Sequence, residues 1–533
     1  MTSSPVYQVL SDIAARLNDR PSGFTAVIKF DLGEKGIYRL VVEQGRAHVE
    51  TDDGEAAVTL KATEKYMFAV LTDQVDGGHA LQSGLLQVEG DFGIVDALDA
   101  ALPPVLVGDE QVPRLLTVRY PFEALERILL NREQWHPYPT IEDRQAWDGL
   151  PESVKNAYLA QGETLQREAW PPLLAVRYLD FSRDGNRSRY QEPYFRRRSM
   201  LIGLLIAECI ENQGRFLDDI VNGIWLICEE SSWCVPAHIR RQRAGSGLPD
   251  TLEPVVDLFA AETSALLAWA DYLIGDRLDV VSPLVRPRVA RELDARILAP
   301  FLERDDFSWM GFTGRRVNNW NPWINSNVLA TTLLVEKDET RRRETVFKCM
   351  RSIDRFVGPY PADGGCDEGP GYWGRAGASL LDCLELLYSA TGGQFDLYGQ
   401  RLIQEIGKFI YRVQIDESYF VNFADASAMV TPSPTVVFRY GKRIGDREMM
   451  RLGAWLGARQ DLKHETRPEA RTARLASLGR LLPELFGLDE MFAVELSLPL
   501  PRDVWLPEVQ VMVARDKQGS PGGLYVAAKG GHN

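Results

Sequence analysis

The 533-residue chain carries 60 basic and 75 acidic side chains, a formal net charge of −15. That surplus argues against nucleic acid as the partner, and a length of this order predicts two to four domains rather than one. The longest apolar run, MLIGLLIAECI over 200–210, falls short of the roughly 18–20 residues a membrane span needs, so no span is expected.

The first residues, MTSSPVYQVLSDIAARLNDR, have neither a basic start nor an apolar centre, so they read as no secretory leader. The six cysteines show no paired or metal-type spacing, which fits reduced thiols and a cytoplasmic protein. Val6, Leu10, Ile13 and Leu17 recur at helical spacing. Strand-like runs follow over 24–32, 36–43, 46–51 and 56–62, the first three separated by the turn signals GEKG and EQG, which predicts a meander. Residues 63–74 read as a helix opened by an N-capping Thr63, and 80–102 as helix, strand, turn and helix. This first unit is α+β. Tryptophan and cysteine are absent before residue 135, and all twelve Trp and six Cys fall from that residue onward. That step places a domain seam in DAALPPVLVGDEQVPR (99–114).

The order of these elements, with KATEKYMFAVLTDQVDGGHALQSGLLQVEGD and its G-x-L-x-V-x-G-D from Gly84 to Asp91, resembles the sterol carrier protein 2 (SCP2) family over roughly residues 5–104. The resemblance implies helices packed on a curved sheet around an apolar tunnel for lipid or fatty acyl groups. Phe24, Phe30, Met67, Phe68 and Leu71 are its lipid-binding candidates, and each is equally suited to plain core.

Beyond the seam, helical periodicity recurs in 199–212, 216–229, 251–275, 281–303, 327–336, 344–357, 376–391, 395–413 and 444–460. Paired helices of this kind suggest an α/α toroid or a solenoid, and the lack of a fixed repeat disfavours the solenoid. Residues 508–516 and 522–531 alternate like strands. The expected organisation is multidomain: an α+β unit over 1–108, a mainly α unit over 112–495, and the start of a β domain over 496–533.

Three stretches fall at expected helix ends: EESSWCVPAHI (229–239), RRVNNWNPWINSN (315–327) and PADGGCDEGPGYWGRAG (361–377). Together they resemble the heparinase II/III family of polysaccharide lyases, over about residues 112–533. The resemblance implies an incomplete α/α toroid followed by a β-sandwich, and β-elimination on a uronic-acid oligosaccharide. In that chemistry the proton at C5 is weakly acidic because the neighbouring carboxylate is already negative. An amide that hydrogen-bonds the carboxylate makes the second charge tolerable without adding a titrating group. Asn319 matches the family's neutralising asparagine and Tyr372 its catalytic tyrosine; His238 matches a further catalytic position. Arg315, Arg316, Trp320, Trp323, Asp367, Glu368 and Arg375 are expected to bind substrate. Arg375, or Arg315 and Arg316, would favour the phenolate of Tyr372, whose free pKa is near 10.

The chain departs from the family in two places. Trp320 stands where some members have histidine. The family also runs on from a strand like KGGHN into an H-x-H-x-D segment, so its roles are not carried to His532, and the β region is expected to be truncated. The visible residues require no cofactor; zinc or calcium would enter only with the remainder of the β region. Two alternatives stay open. One is a glycoside hydrolase with Asp363 or Glu368 as its acid. The other is a non-catalytic lipid- or sugar-binding protein. The basic clusters FRRRSM (195–200) and RRQR (240–243) read as a solvated face or as partners of the acidic surplus.

Overall fold

The computed structural model describes residues 4–19, 24–43, 45–72, 80–81, 84–91, 93–102, 107–463, 467–468 and 477–531. The end of the helix expected over 63–74, the Pro pair of the seam, and His532 with Asn533 lie outside the described residues. No helix among those described is long and apolar enough to cross a membrane.

The N-terminal unit is α+β. Helix α1 (Pro5–Asp19) buries Val6, Leu10, Ile13 and Leu17, the stripe its periodicity predicts. Strands β1 (Ala26–Asp31), β2 (Ile37–Glu43) and β3 (Arg46–Glu50) form the expected antiparallel meander. β4 (Val58–Lys61) then crosses back to lie parallel to β1, and β5 (Gln87–Gly90) pairs with β4, giving the order β3-β2-β1-β4-β5. Thr63 caps helix α2 (Glu64–Leu71) by accepting from the Tyr66 amide. The glycine–aspartate of the motif has a local cause. Gly90 adopts φ 104°, and a Cβ there would come within 2.4 Å of the Ala57 carbonyl oxygen on the neighbouring chain. Asp91 then accepts from the Gly93 amide to start helix α3 (Gly93–Ala101).

The remainder is mostly helical and has its own apolar core, separate from that of the N-terminal unit. Five helices pack pairwise in a closed ring: Leu258–Val281, Trp320–Val335, Gly377–Ala390, Pro434–Ile444 and Leu478–Phe492, the last returning to the first. Further helices, including Ser188–Glu211, Leu217–Glu229 and Glu339–Val357, pack outside the ring. The chain leading in is anchored to the last of these. Asp109 pairs with Arg351 and Arg355, and the Asp354 carboxylate accepts from the amides of Leu115, Leu116 and Thr117.

Several boundaries differ from expectation for identifiable reasons. The helix expected from 251 begins at Leu258, where Asp257 accepts from the Ala260 amide. The helix expected over 444–460 spans Arg447–Arg459, and a separate, unforeseen helix, Pro434–Ile444, precedes it. Gly445 stops the earlier helix at φ 70°, and Asp446 caps the later one. The helix expected over 327–336 starts at Trp320, so Asn321, Asn325 and Asn327 are helical and buried, while 315–319 remain a loop with Asn318 exposed. Asn321 donates to the carbonyls of Trp309 (2.9 Å) and Ser352 (2.9 Å), and Asn325 donates to Ser352 Oγ (2.9 Å). Amides that cost helix propensity are retained because they satisfy buried carbonyls of neighbouring segments.

The basic clusters are only partly solvated. Arg197 and Arg198 are buried and share the carboxylate of Glu230, while Arg196 faces Glu168 at the surface. At the C-terminal end, strands Asp503–Leu506, Val511–Arg515 and Tyr525–Lys529 form a three-stranded antiparallel sheet, the first of them unforeseen. Its inner face carries Leu506, Val511 and Val513; its outer face leaves Trp505 60% and Val526 57% exposed.

Replacing Asn321 with leucine strands two buried carbonyls, so a loss of about 3–5 kcal/mol is expected. The urea unfolding midpoint checks this; a variant within about 1 kcal/mol of the parent would remove the amide network from the account.

Candidate functional site

Asn319 sits at the N-cap of the buried helix Trp320–Val335 and is itself 4% exposed. Its Nδ2 donates to both oxygens of Glu368, at 2.9 and 2.7 Å, and its backbone amide points to the same carboxylate at 3.4 Å. The second and third motif stretches therefore meet through one amide–carboxylate contact. Beside it, Arg316 pairs with Asp367 at 2.6 Å on the surface. Arg315 is half-buried on the same loop.

The first stretch joins through an aromatic. His238 lies with its ring parallel to Phe259 (5.6 Å) and 4.5 Å from the Trp320 ring, so its link to Asn319 runs through the neighbouring indole. Its Nδ1 is 2.6 Å from Oδ2 of Asp257, which is fully buried and caps its own helix with the other oxygen. An acceptor at Nδ1 places a proton there and leaves Nε2 as the acceptor. Arg241 covers the Trp320 ring at 5.3 Å and bonds to Ser308.

Tyr372 is half-buried in the turn Pro370–Trp373. Burial raises its phenol above the usual value, and the charges of Asp425 and Glu368 add to the rise; only Arg187 opposes them. The expected stabilisation of phenolate by the nearby arginines is therefore not what the fold provides. Arg375 lies flat on the Trp323 ring at 3.8 Å and pairs with Glu262 at 3.4 Å, while Arg316 is held by Asp367. Trp323 donates its indole N–H to Glu262 at 2.7 Å. Burial raises the carboxyls of both Glu262 and Glu368, the latter against the lowering effect of the Asn319 bonds.

Of the expected residues, Asn319, Trp320, Glu368, Tyr372 and His238 belong to one neighbourhood, with Arg316 and Asp367 at its rim. Trp323 and Arg375 instead form a layer with Glu262 one helical turn deeper. Asp363 does not serve as a free acid: it accepts from the amides of Gly365, Glu508 and Val509, tying its loop to the C-terminal sheet. Asp257, Phe259 and Glu262 were not foreseen. Asp257 followed by LFAAETSALL is a legible capping signal, but nothing in the spacing ties it to His238.

In the N-terminal unit, Phe30 and Met67 are fully buried, and Phe24, Phe68 and Leu71 are half-buried against the same core. The SCP-2 sterol transfer family matches residues 10–103. Among solved structures, the crystal structure of Sterol Carrier Protein 2 Like 2 from Aedes aegypti is similar, at 20% identity. The match covers 18% of this chain and 93% of that one, with a TM-score of 0.15. No curated protein matches the chain. The protein is multidomain, with an N-terminal α+β unit that resembles the SCP-2 family and a mostly helical remainder.

The raised Glu368 carboxyl fixes the sign of a pH effect. The folded state holds this proton more tightly than the unfolded chain, whose value is near 4.5. Stability from this group is therefore lost as pH rises from that value through the folded one. Urea unfolding from pH 4 to 7 is expected to show this loss in the parent and a flatter dependence in Glu368→Gln; identical slopes would count against a buried, proton-holding carboxyl.

Proposed function

We propose that the helical unit is a polysaccharide-lyase-like enzyme acting on uronic-acid oligosaccharides in the cytoplasm, joined to an N-terminal module that carries a lipid or fatty acyl ligand. On this reading residues 1–108 are the lipid-binding domain. Residues 112–495 are an incomplete α/α toroid, a view supported by the closed ring of helices, and 496–533 are the first strands of a β-sandwich. The observation that carries the enzymatic part is the Asn319 amide donating to both oxygens of a carboxylate. In the resting protein that carboxylate is Glu368; in a complex, a substrate uronate takes its place.

The reaction then has a defined course. The C5 proton leaves to a base, its electron pair forms the C4–C5 double bond, the C4–O4 bond breaks, and O4 takes a proton. Resemblance assigns both proton transfers to Tyr372. Its raised phenol favours the second, donation to O4. His238, with Nδ1 held by Asp257, offers Nε2 for the first. Trp320 supplies a flat face for the sugar ring and Arg316 with Asp367 a polar rim.

A second reading has one observation behind it. A buried carboxyl held above its usual value, as at Glu368, suits the general acid of a glycoside hydrolase. The two chemistries leave different products: elimination creates a conjugated double bond, and hydrolysis does not.

Ultraviolet absorbance during incubation with a panel of uronate oligosaccharides is expected to rise. Tyr372→Phe and Asn319→Ala should each lower the rate by about 10²–10⁴-fold with unchanged circular dichroism. New reducing ends without absorbance would move the assignment to hydrolysis, and silence on both would leave a non-catalytic binding protein.

Organic extraction of the purified chain is expected to release a lipid or fatty acyl species visible by mass spectrometry. Met67→Arg should abolish it; equal recovery from the variant would detach Met67 from the ligand.

A further inference from the structure

A cavity of about 260 Å³ is lined largely by the five helices of the ring, with Trp135, Pro137, Tyr138 and Arg375 beside them. It begins at the Trp323–Arg375 layer and runs away from Asn319. Its wall follows Trp323, Ser326, Asn327 and Ala330 down one helix, and Ser379, Asp382, Leu386 and Ser389 down another. At 1.5 Å per residue, Ala330 lies about 16 Å along the axis from Asn319. The cavity is therefore a separate compartment from the site at the helix N-termini.

Its charge is unusual for an acidic protein. Arg375, Arg439, Arg443 and Arg480 line it, against the carboxylates of Glu262, Asp382 and Glu385. Two of these groups are well matched: Arg480 donates to Asp382 through Nε at 2.8 Å and Nη2 at 2.7 Å. Glu385, by contrast, is shared between Arg439 and Arg443. After this sharing, Nη1 of Arg439 is buried without a hydrogen-bond partner among the described residues. Among the described lining residues, four guanidiniums stand against three carboxylates, and a buried charged donor without an acceptor is costly. Trp135, Trp269 and Trp323 add flat apolar faces to the same wall.

We infer that this lumen binds a compact oxyanion, a carboxylate or a phosphate group, seated on Arg439 and Arg443. The oxyanion accepts from guanidinium N–H groups that line the cavity and offsets the positive charge of its described lining residues. A ligand carrying a sugar-sized ring has the tryptophan faces beside it. The site needs no chemistry at Tyr372, so it stands whether or not the elimination reading does.

Calorimetric titration of the full chain with D-glucuronate, inorganic phosphate and D-glucose tests this. Saturable binding of at least one anion, absent for glucose, is expected. Affinity should fall by about tenfold or more in Arg439→Gln. Tyr372→Phe should bind as the parent does. Glucuronate alone would mark a sugar acid as the occupant, and phosphate alone a phosphate group. No anion binding, equal binding of glucose, or binding lost with Tyr372→Phe but kept in Arg439→Gln would overturn the inference. If Arg439→Gln does not fold, Arg443→Gln carries the same expectation.

Discussion

The helical unit depends on burying one helix, Trp320–Val335, on every side. Helices Leu258–Val281, Glu339–Val357 and Gly377–Ala390 enclose it, and almost every residue from Asn321 to Leu334 is buried. A helix surrounded by apolar neighbours has no solvent face to set its rotation. The polar side chains set it instead. Asn321 and Asn325 face Ser352, and Thr331 meets Ser264 at 2.8 Å. Turning the helix by one residue, about 100°, would strand these groups against hydrocarbon. The network therefore selects one rotation, and that rotation places Asn319 toward Glu368 and Trp323 toward Glu262.

This explains why the candidate site relies on an amide rather than on cations. Each arginine in the motif stretches whose partner is defined is matched to an acid: Arg316 to Asp367 and Arg375 to Glu262. Around Tyr372 the nearby charges are mainly negative. An anionic ligand approaching this surface meets a repulsive field overall, so recognition has to come from short-range donors in fixed positions. The neutral amide of Asn319 is the donor held in place there, and in the resting protein it is engaged by Glu368.

Much of the fold was legible where one face is apolar and the other polar. The stripe of α1, the first meander and the body of the helix expected over 344–357, which starts five residues earlier at Glu339, follow from periodicity. Legibility failed where the physical cause is tertiary. Residues 320–326 look like a loop because asparagine disfavours helix, and the partners that make them acceptable there, Trp309 and Ser352, lie in other segments. The helix Leu478–Phe492 contains Pro483, and Ser188–Glu211 contains Pro193, so their patterns read as interrupted. At the candidate site, the three motif stretches stand out in the sequence because amides, indoles and acids cluster in them. Their partners do not. Asp257 and Glu262 look like ordinary positions at the start of a helix, and the neighbour that gives each its meaning lies 19 residues away for one and 61 for the other.

The layer of Trp323, Arg375 and Glu262 is where the two compartments of the helical unit touch. On one side Trp323 is a single turn from Asn319 and Trp320; on the other it forms the wall of the lumen. Glu262 accepts from both Trp323 and Arg375, and burial drives its carboxyl toward the neutral form while driving the Arg375 guanidinium toward losing its charge. Such a pair is poorly matched, because the long contact of 3.4 Å recovers little of the desolvation of either group.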